Sequence, residues 1–245
     1  TDFAAMRRRK FGAKKLLSRA AKWLARRPFL ACCIALFIAF AFVGNCSKSA
    51  YNSRTSEELA YLKILRKKYG GYGRAVDVRA AESAIAQACA FIAAVEKDTP
   101  DWDTPDARDL LLATAVMESG LRARFQDSGG DAIGLFQVEY GTYRDLWRRA
   151  IRYKHPELYK AMRRHFGDAE NGEIKFEDLQ RNDIVGAMFA RIKYFESGRK
   201  IPPAADVAAQ AKLYKEVYNT AAGRGDIETF VKKKRDKLGV PDVSR

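Results

Sequence analysis

Histidine and cysteine are scarce in this sequence, which disfavours the commonest metal and disulfide sites. The chain of 245 residues has 2 histidines and 4 cysteines. His155 and His165 lack the clustered partners that a metal site needs, so we expect neither a metal nor another cofactor. Cys32 and Cys33 are adjacent and cannot easily pair with each other, and no CxxC spacing occurs. We therefore interpret the cysteines as small apolar residues.

Acidic residues are almost missing from the start of the chain. Residues 1–27 hold ten lysines and arginines against one acid, Asp2, and so carry +9 of the formal net charge of +15. Apolar residues in this arm recur at helical spacing, so it fits an anionic membrane surface or a solvated flank equally well. Basic patches also bind phosphate backbones, but membrane topology explains a basic arm that precedes an apolar segment. We expect no specific nucleic-acid partner.

Residues 29–43 form an uninterrupted run of 15 apolar residues, shorter than the ~20 that usually span a bilayer. Basic residues before an apolar run are typical of a segment that starts in the cytoplasm and sends its C-terminal side outward. An uncleaved signal anchor is the favoured interpretation. A cleaved signal sequence or a buried helix of a larger assembly also fits. Asn45 disfavours a lipoprotein signal at Cys46, because such signals want a small residue there.

After the apolar run, helical periodicity dominates, and no convincing alternation of period two and no internal repeat occurs. The sequence therefore predicts an all-α or nearly all-α fold. Helices are predicted at residues 56–69, 78–95, 104–120, 142–152, 157–166, 183–195, 204–218 and 226–238. The predicted organisation is a basic arm (1–27), an apolar anchor-like segment (28–46), a linker with a charged helix (47–77) and one domain (78–245).

The predicted helix at 104–120 has clear ends and carries a candidate catalytic acid. Thr104 is a good N-cap, Pro105 suits the first helical position, and Gly120 is a natural C-terminal stop. Glu118 therefore lies near the negative end of the helix dipole, beside apolar neighbours. Both the dipole and desolvation favour the neutral carboxyl and should raise its pKa. A carboxyl group that stays protonated near neutrality suits general-acid cleavage of a glycosidic bond.

Three short segments follow one another in a recognisable order: Glu118-Ser119-Gly120, then Gly134-Leu135-Phe136-Gln137, then Tyr218-Asn219-Thr220. This order and spacing resembles the SLT-type lytic transglycosylases, relatives of goose-type lysozyme, and especially their bacteriophage-encoded versions. The resemblance covers roughly residues 80–236. Two residues depart from the family pattern: Val217 stands where a small residue is frequent, and Asp131 is an unexpected acid in the loop before Gly134.

The resemblance implies a lysozyme-like fold and a role for each matching residue. Glu118 matches the catalytic acid, and Ser119 a residue that orients the substrate or the acid. The segment Gly134, Leu135, Phe136 and Gln137 matches a strip lining the cleft, where the small Gly134 lets the backbone approach the glycan. Tyr218 and Asn219 match an aromatic-amide pair facing the acid, with the phenol as a hydrogen-bond partner for the carboxyl.

Those residues also have structural interpretations: Gln137 as a loop-capping amide, and Tyr218 as a core aromatic with a solvated hydroxyl. Glu139 is the best candidate for a second carboxylate, which would make the enzyme a hydrolytic lysozyme.

The function that the resemblance implies is cleavage of peptidoglycan between N-acetylmuramic acid (MurNAc) and N-acetylglucosamine (GlcNAc), leaving 1,6-anhydro ends. The expected partners are peptidoglycan glycan strands, a membrane contacted through residues 29–43, and other proteins of a virion or an envelope assembly. The catalytic domain is expected on the periplasmic or outer side of a membrane, or inside a phage virion. The alternative is a catalytically inactive lysozyme-like protein that is structural or penetrates membranes.

Overall fold

The computed structural model describes residues 55–70, 73–126, 130–219 and 226–239 of the chain. It is mostly helical, with 69% helix and 5% strand, so the predicted fold class is confirmed at that coarse level. By its internal contacts the chain divides into two units, Thr1–Thr55 and Ser56–Arg245. The described helices and strands belong to the second unit. The basic arm and the apolar run at residues 29–43 lie outside the described residues.

Nine α-helices are found in the described residues, and two of them run on into π-helical segments. The helices are α1 (Ser56–Tyr69), α2 (Val78–Val95), α3 (Pro105–Ser119), α4 (Tyr140–Asp145, continued by the π-helix Leu146–Lys154), α5 (Pro156–Phe166), α6 (Asp178–Arg181), α7 (Asp183–Glu196), α8 (Val207–Leu213, continued by the π-helix Tyr214–Asn219) and α9 (Ile227–Leu238). A single 3₁₀ turn, Pro100–Trp102, lies between α2 and α3.

A small antiparallel sheet accompanies the helices and was not predicted from the sequence. Its strands are β1 (Gly73–Ala75), β2 (Arg122–Phe125) and β3 (Ile133–Gly134), in the order β1-β2-β3. They have 3, 4 and 2 residues, too few for an alternating pattern to be recognised in the sequence. The Gly- and Asp-rich segment between Arg124 and Gly134 is therefore paired at its two ends, where β2 and β3 lie.

The ends of α3 confirm the predicted signals. Thr104 is the N-cap, with its Oγ1 accepting a hydrogen bond from the Ala107 amide at 3.1 Å, and Pro105 occupies the first turn. Gly120 ends the helix in the left-handed conformation at φ 61°, and its amide donates to the Val116 carbonyl at 3.1 Å. Glycine adopts this conformation without the penalty that a Cβ brings.

Helix α3 is the central helix of the described core, because it is buried on nearly every side. An apolar surface all round is typical of a helix enclosed by others. Its buried residues are Ala107, Leu110, Leu111, Leu112, Ala113, Thr114, Ala115, Val116, Met117 and Ser119. Helices α2, α7 and α9 pack against it. The C-terminal end of α3, which carries Glu118, is therefore enclosed by other elements.

Helix α2 has the length and hydropathy of a membrane span, and among the described residues it is the one helix that does. One such helix is weak support for a membrane span, because core helices share these properties. The apolar face of α2, including Ile85, Cys89 and Ile92, is buried, and α2 packs along α7. The interpretation of Cys89 as a small apolar residue is therefore confirmed.

Helix α1 packs on the domain, although the sequence assigns it to the segment before the domain. Leu62 and Leu65 are buried in the core, and Arg144 of α4 forms an ion pair with Glu58 at 2.7 Å. Strand β1 pairs with β2 along the whole of its length. The compact unit therefore begins at Ser56 and not at Val78.

The bounds of the other predicted helices agree with the structure in some cases and differ in others. Helix α2 has the predicted bounds. The predicted helix at 142–152 is part of a longer helical stretch that begins at Tyr140. The one predicted from Ala204 begins at Val207, because Asp206 is its N-cap and accepts from the Ala209 amide at 2.9 Å. The turn α6 was not predicted, since its 4 residues are too few for a periodic signal.

Helix α9 is fixed to α3 through one buried lysine. The ammonium of Lys234 contacts the carboxylate of Asp109 and donates to Gln210 Oε1 at 2.9 Å. Its side chain is only 1% exposed, and buried charges occur in proteins when they are paired in this way. The preceding residue, Lys233, donates a hydrogen bond to the Met117 carbonyl at 3.3 Å. This attachment brings positive charge close to the end of α3.

Candidate active site

Glu118 lies in the last turn of α3, partly exposed, and one of its carboxylate oxygens is held by a tyrosine. The phenol of Tyr214 donates to Glu118 Oε1 at 2.7 Å. Tyr214 comes from the π-helical end of α8, so the contact joins two elements far apart in the sequence. The carboxyl group is therefore fixed in direction while part of the residue remains reachable from solvent.

The pKa of Glu118 is raised, in the direction that its sequence position predicts. Burial is the largest cause, and the negative charge of Glu139 adds to it. The hydrogen bond from Tyr214 and the positive charges of Lys193 and Lys233 act in the opposite direction, but they do not cancel the burial. The surroundings of Glu118 therefore shift its ionisation toward the neutral form, the form from which a general acid gives its proton.

The raised pKa of Glu118 predicts how the stability of the fold changes with pH. A carboxyl whose pKa is higher in the folded than in the unfolded chain stabilises the fold below its unfolded pKa, near 4.5, and that contribution is lost as pH rises through the folded pKa. The variant Glu118→Gln has no such loss. We expect its melting temperature to exceed that of the wild type at neutral pH and to converge with it near pH 4. Thermal unfolding at a series of pH values measures this, and a constant difference would contradict it.

Ser119 fixes the end of α3 to the Gly-Leu-Phe-Gln segment. Its Oγ donates to the Leu135 carbonyl at 2.7 Å, contacts the Ala115 carbonyl at 3.0 Å, and accepts from the Arg122 amide at 3.3 Å. Ser119 itself is buried. Its hydroxyl therefore connects the end of α3, directly after Glu118, to the Gly-Leu-Phe-Gln segment.

Gly134 is required by the backbone of a neighbouring helix. Its φ is +80°, and a Cβ added there would lie 2.2 Å from the Leu179 carbonyl oxygen. The Gly134 amide donates to Gln180 Oε1 at 3.1 Å, and the Gln180 amide group donates to the Ala123 carbonyl at 3.0 Å. We expected from the resemblance that the small size of Gly134 lets its backbone approach a glycan. In the structure, the backbone of α6 occupies the space that a Gly134 side chain would need.

The three residues after Gly134 are mainly buried. Leu135 and Phe136 have no exposed surface, and Gln137 is 9% exposed. The Gln137 side-chain amide donates to the Gly134 carbonyl at 2.9 Å, which closes the turn and stabilises its unusual φ of 45°. The loop-capping interpretation of Gln137 therefore describes its contact. Because the side chains of Leu135 and Phe136 lie in the core, only their backbone atoms are left for contact with a ligand.

Tyr218 faces the Gly-Leu-Phe-Gln segment and not the acid. Its phenol donates to the Phe136 carbonyl at 2.9 Å, whereas the sequence expectation was a hydrogen bond to Glu118. Tyr214 makes that bond because it lies one turn earlier on the same π-helical segment, with its ring stacked on that of Tyr218 at a centroid distance of 6.2 Å. Asn219 lies beside them and hydrogen-bonds Tyr214. Residues 220–225 lie outside the described residues.

Glu139 is exposed at the start of α4, and its charge contributes to the raised pKa of Glu118. The unexpected Asp131 has a structural explanation nearby. It is 6% exposed, and its Oδ2 accepts from the Tyr140 amide at 3.2 Å, the first amide of α4. A carboxylate there satisfies an amide that has no partner within the helix. Asp131 therefore orients α4 and with it Glu139.

Sequence reasoning missed two residues of this site, Tyr214 and Lys193. Tyr214 precedes Tyr218 by four positions, which predicts one helical face for both, but nothing in the sequence indicated which phenol reaches the acid. Lys193 lies on α7, far from every recognised motif. Its Nζ donates to the Tyr218 carbonyl at 3.0 Å and lies 4.1 Å from the centre of the Tyr218 ring.

No family model, curated protein or solved structure matches this chain.

Proposed function

We propose that this chain is a peptidoglycan lytic transglycosylase in which Glu118 is the single catalytic acid. The observation that carries the proposal is the environment of that carboxyl: burial raises its pKa, and the Tyr214 phenol holds one oxygen at 2.7 Å. Two further contacts support it. Ser119 and Tyr218 bind the Leu135 and Phe136 carbonyls, so the three segments of the family pattern meet at one place.

In the first step Glu118 donates its proton to the oxygen that links MurNAc to GlcNAc. The bond from the MurNAc C1 to that oxygen breaks, the GlcNAc leaves with a hydroxyl group, and positive charge develops at C1. The carboxylate that Glu118 becomes remains hydrogen-bonded to the Tyr214 phenol. A hydrogen bond to a charged group is worth about 1.5–3 kcal/mol, so Tyr214 stabilises this product of the proton transfer.

In the second step the C6 hydroxyl of the same MurNAc attacks C1 and returns its proton to Glu118. The C1–O6 bond forms, the 1,6-anhydro end is complete, and no water is consumed. This sequence needs one carboxyl group, whereas most glycosidases need two. The exposed side chain of Glu139 is the group that would activate water if the reaction were hydrolysis.

The proposal extends to the setting of the enzyme. A signal anchor at residues 29–43 would hold the catalytic domain on the periplasmic or outer side of a membrane, where peptidoglycan lies. Packaging in a phage virion would deliver it to the same substrate. In both settings the activity opens the cell wall locally, for phage passage or for an envelope assembly.

End-group analysis tests the proposed reaction. The 245-residue chain, in detergent, is incubated with purified peptidoglycan, and the released muropeptides are identified by mass spectrometry. We expect 1,6-anhydro-MurNAc ends. Reducing ends would identify a hydrolase and assign Glu139 the second role. The absence of any released glycan would reject the enzyme.

Tyr214→Phe should slow cleavage by about tenfold, because the carboxylate that forms on proton transfer loses a hydrogen bond worth about 1.5 kcal/mol or more. The same change removes an interaction that lowers the pKa of Glu118, so the fall in activity on the alkaline side moves to higher pH. Initial rates of muropeptide release across a pH series measure both effects. Tyr153→Phe is the matched control, since Tyr153 is 73% exposed; an equal effect there would refute the role of Tyr214.

A further inference from the structure

Lys193 is a largely buried cation whose position is set by Tyr218. It projects from the last turn of α7. Its Nζ donates to the Tyr218 carbonyl at 3.0 Å and lies 4.1 Å from the ring centre of the same residue. An ammonium at this distance from an aromatic ring gains a cation–π interaction. Two contacts with one residue therefore hold the charge in place at the end of α8.

The charge of Lys193 acts on both carboxyl groups of the site. Burial lowers the pKa of Lys193, while Glu118 and Glu139 raise it. In return, Lys193 lowers the pKa of Glu118, and its effect is larger than that of Lys233. Desolvation makes a charge at this position costly unless opposite charge compensates it. Glu118 and Glu139 supply that compensation.

The other groups that act on Glu118 are one acid and the surrounding phenols. Glu139 disfavours its ionisation, and the Tyr214 phenol favours it by donating a hydrogen bond. The phenols of Tyr194 and Tyr218 are buried and feel the charge of Glu118. Tyr194 shares a hydrogen bond with Thr114 at 2.8 Å, and Tyr218 donates to Phe136. Among the described residues, Lys193 and Lys233 are thus two cations that lower the pKa of this acid, and the effect of Lys193 is the larger.

We propose that Lys193 is a positioning residue of this site, whose ammonium stabilises the carboxylate that Glu118 becomes after it gives up its proton. The inference rests on the proposed function. A partly buried acid must ionise during every turnover, and a fixed cation lowers the cost of that step without contacting the glycan. Geometry also links the cation to the acid. The ring of Tyr218, which holds the ammonium, stacks on the ring of Tyr214 at a centroid distance of 6.2 Å, and the Tyr214 phenol donates to Glu118 Oε1 at 2.7 Å.

The variant Lys193→Gln tests this, because its amide keeps a donor for the Tyr218 carbonyl but carries no charge. The pH–rate profile of muropeptide release should move its alkaline limb to higher pH, since Glu118 then holds its proton more tightly. The rate on the plateau should fall by up to about tenfold for each unit that the limb moves. KM should change little. Lys193→Arg, which keeps the charge, should restore the wild-type profile, and Lys160→Gln should leave it unchanged.

A direct titration separates this inference from the proposed function. The ¹³C carboxyl resonance of Glu118, identified by its absence from Glu118→Gln, should titrate at higher pH in Lys193→Gln than in the wild type. This holds whether or not the protein cleaves glycan. If Lys193→Gln does not fold, the Lys193 ammonium resonance is followed instead and should titrate at lower pH in Glu118→Gln. An unchanged titration in either experiment overturns the role of Lys193, whereas a wild type that releases no muropeptide overturns only the enzyme.

Discussion

Glu118→Gln should lower the rate of muropeptide release from purified peptidoglycan by roughly 10²–10⁴-fold, the usual contribution of a general acid. Glutamine has the size of glutamate and still accepts the hydrogen bond that Tyr214 donates at 2.7 Å to Glu118 Oε1. The fold should therefore survive, and circular dichroism of the variant checks that it does. What is lost is the proton that the leaving oxygen must receive.

Glu139→Gln is the matched control for that experiment. Glu139 is an exposed carboxylate that acts on Glu118 through its charge, and the proposed route needs no second acid. We expect its rate to stay within a few-fold of the wild type. Equal losses in both variants would indicate hydrolysis by a pair of carboxylates. Full activity in Glu118→Gln would reject Glu118 as the acid, and full biological function in that variant would favour the inactive structural protein.

Gly134→Ala should lower the free energy of unfolding by about 2–6 kcal/mol, because the new methyl group has two separate costs. The residue sits at φ +80°, where a side chain is strained, and its Cβ would lie 2.2 Å from the Leu179 carbonyl oxygen. Backbone strain of this kind and overpacking each cost about 1–3 kcal/mol. Urea unfolding followed by circular dichroism measures the change.

Gly120→Ala separates the two costs. Gly120 also has a positive φ, 61°, but a Cβ there meets nothing within 4 Å. Only the left-handed backbone is penalised, by about 1–2 kcal/mol. If Gly134→Ala costs no more than Gly120→Ala, then α6 is able to move away, and the close approach of Gly134 to the Leu179 carbonyl is not essential.

The helices could be predicted from sequence where capping residues mark their ends. Thr104, Pro105 and Gly120 bound α3 as expected, since each acts on the chain within a few residues. The sheet could not be predicted, because β3 has 2 residues and gains its pairing from β2 after the chain has turned. Short strands depend on tertiary contacts, which local patterns do not encode.

The candidate site shows the same division. The raised pKa of Glu118 was predicted from the helix end and its apolar neighbours, and burial is indeed its largest cause. The phenol that binds Glu118 was not predicted, because Tyr214 and Tyr218 share one face of a π-helical segment. Only the tertiary packing decides which of the two reaches the acid. Lys193 left no local signal at all, since its partner Tyr218 lies on another element.

The protonation state of Glu118 is the most direct test of the central claim, that a partly buried carboxyl at the end of α3 is the proton donor. Its ¹³C carboxyl resonance, identified by its absence from Glu118→Gln, is followed against pH in the wild-type chain. We expect Glu118 to titrate above 4.5, the ordinary pKa value for a glutamate. Titration at or below that value would contradict the account.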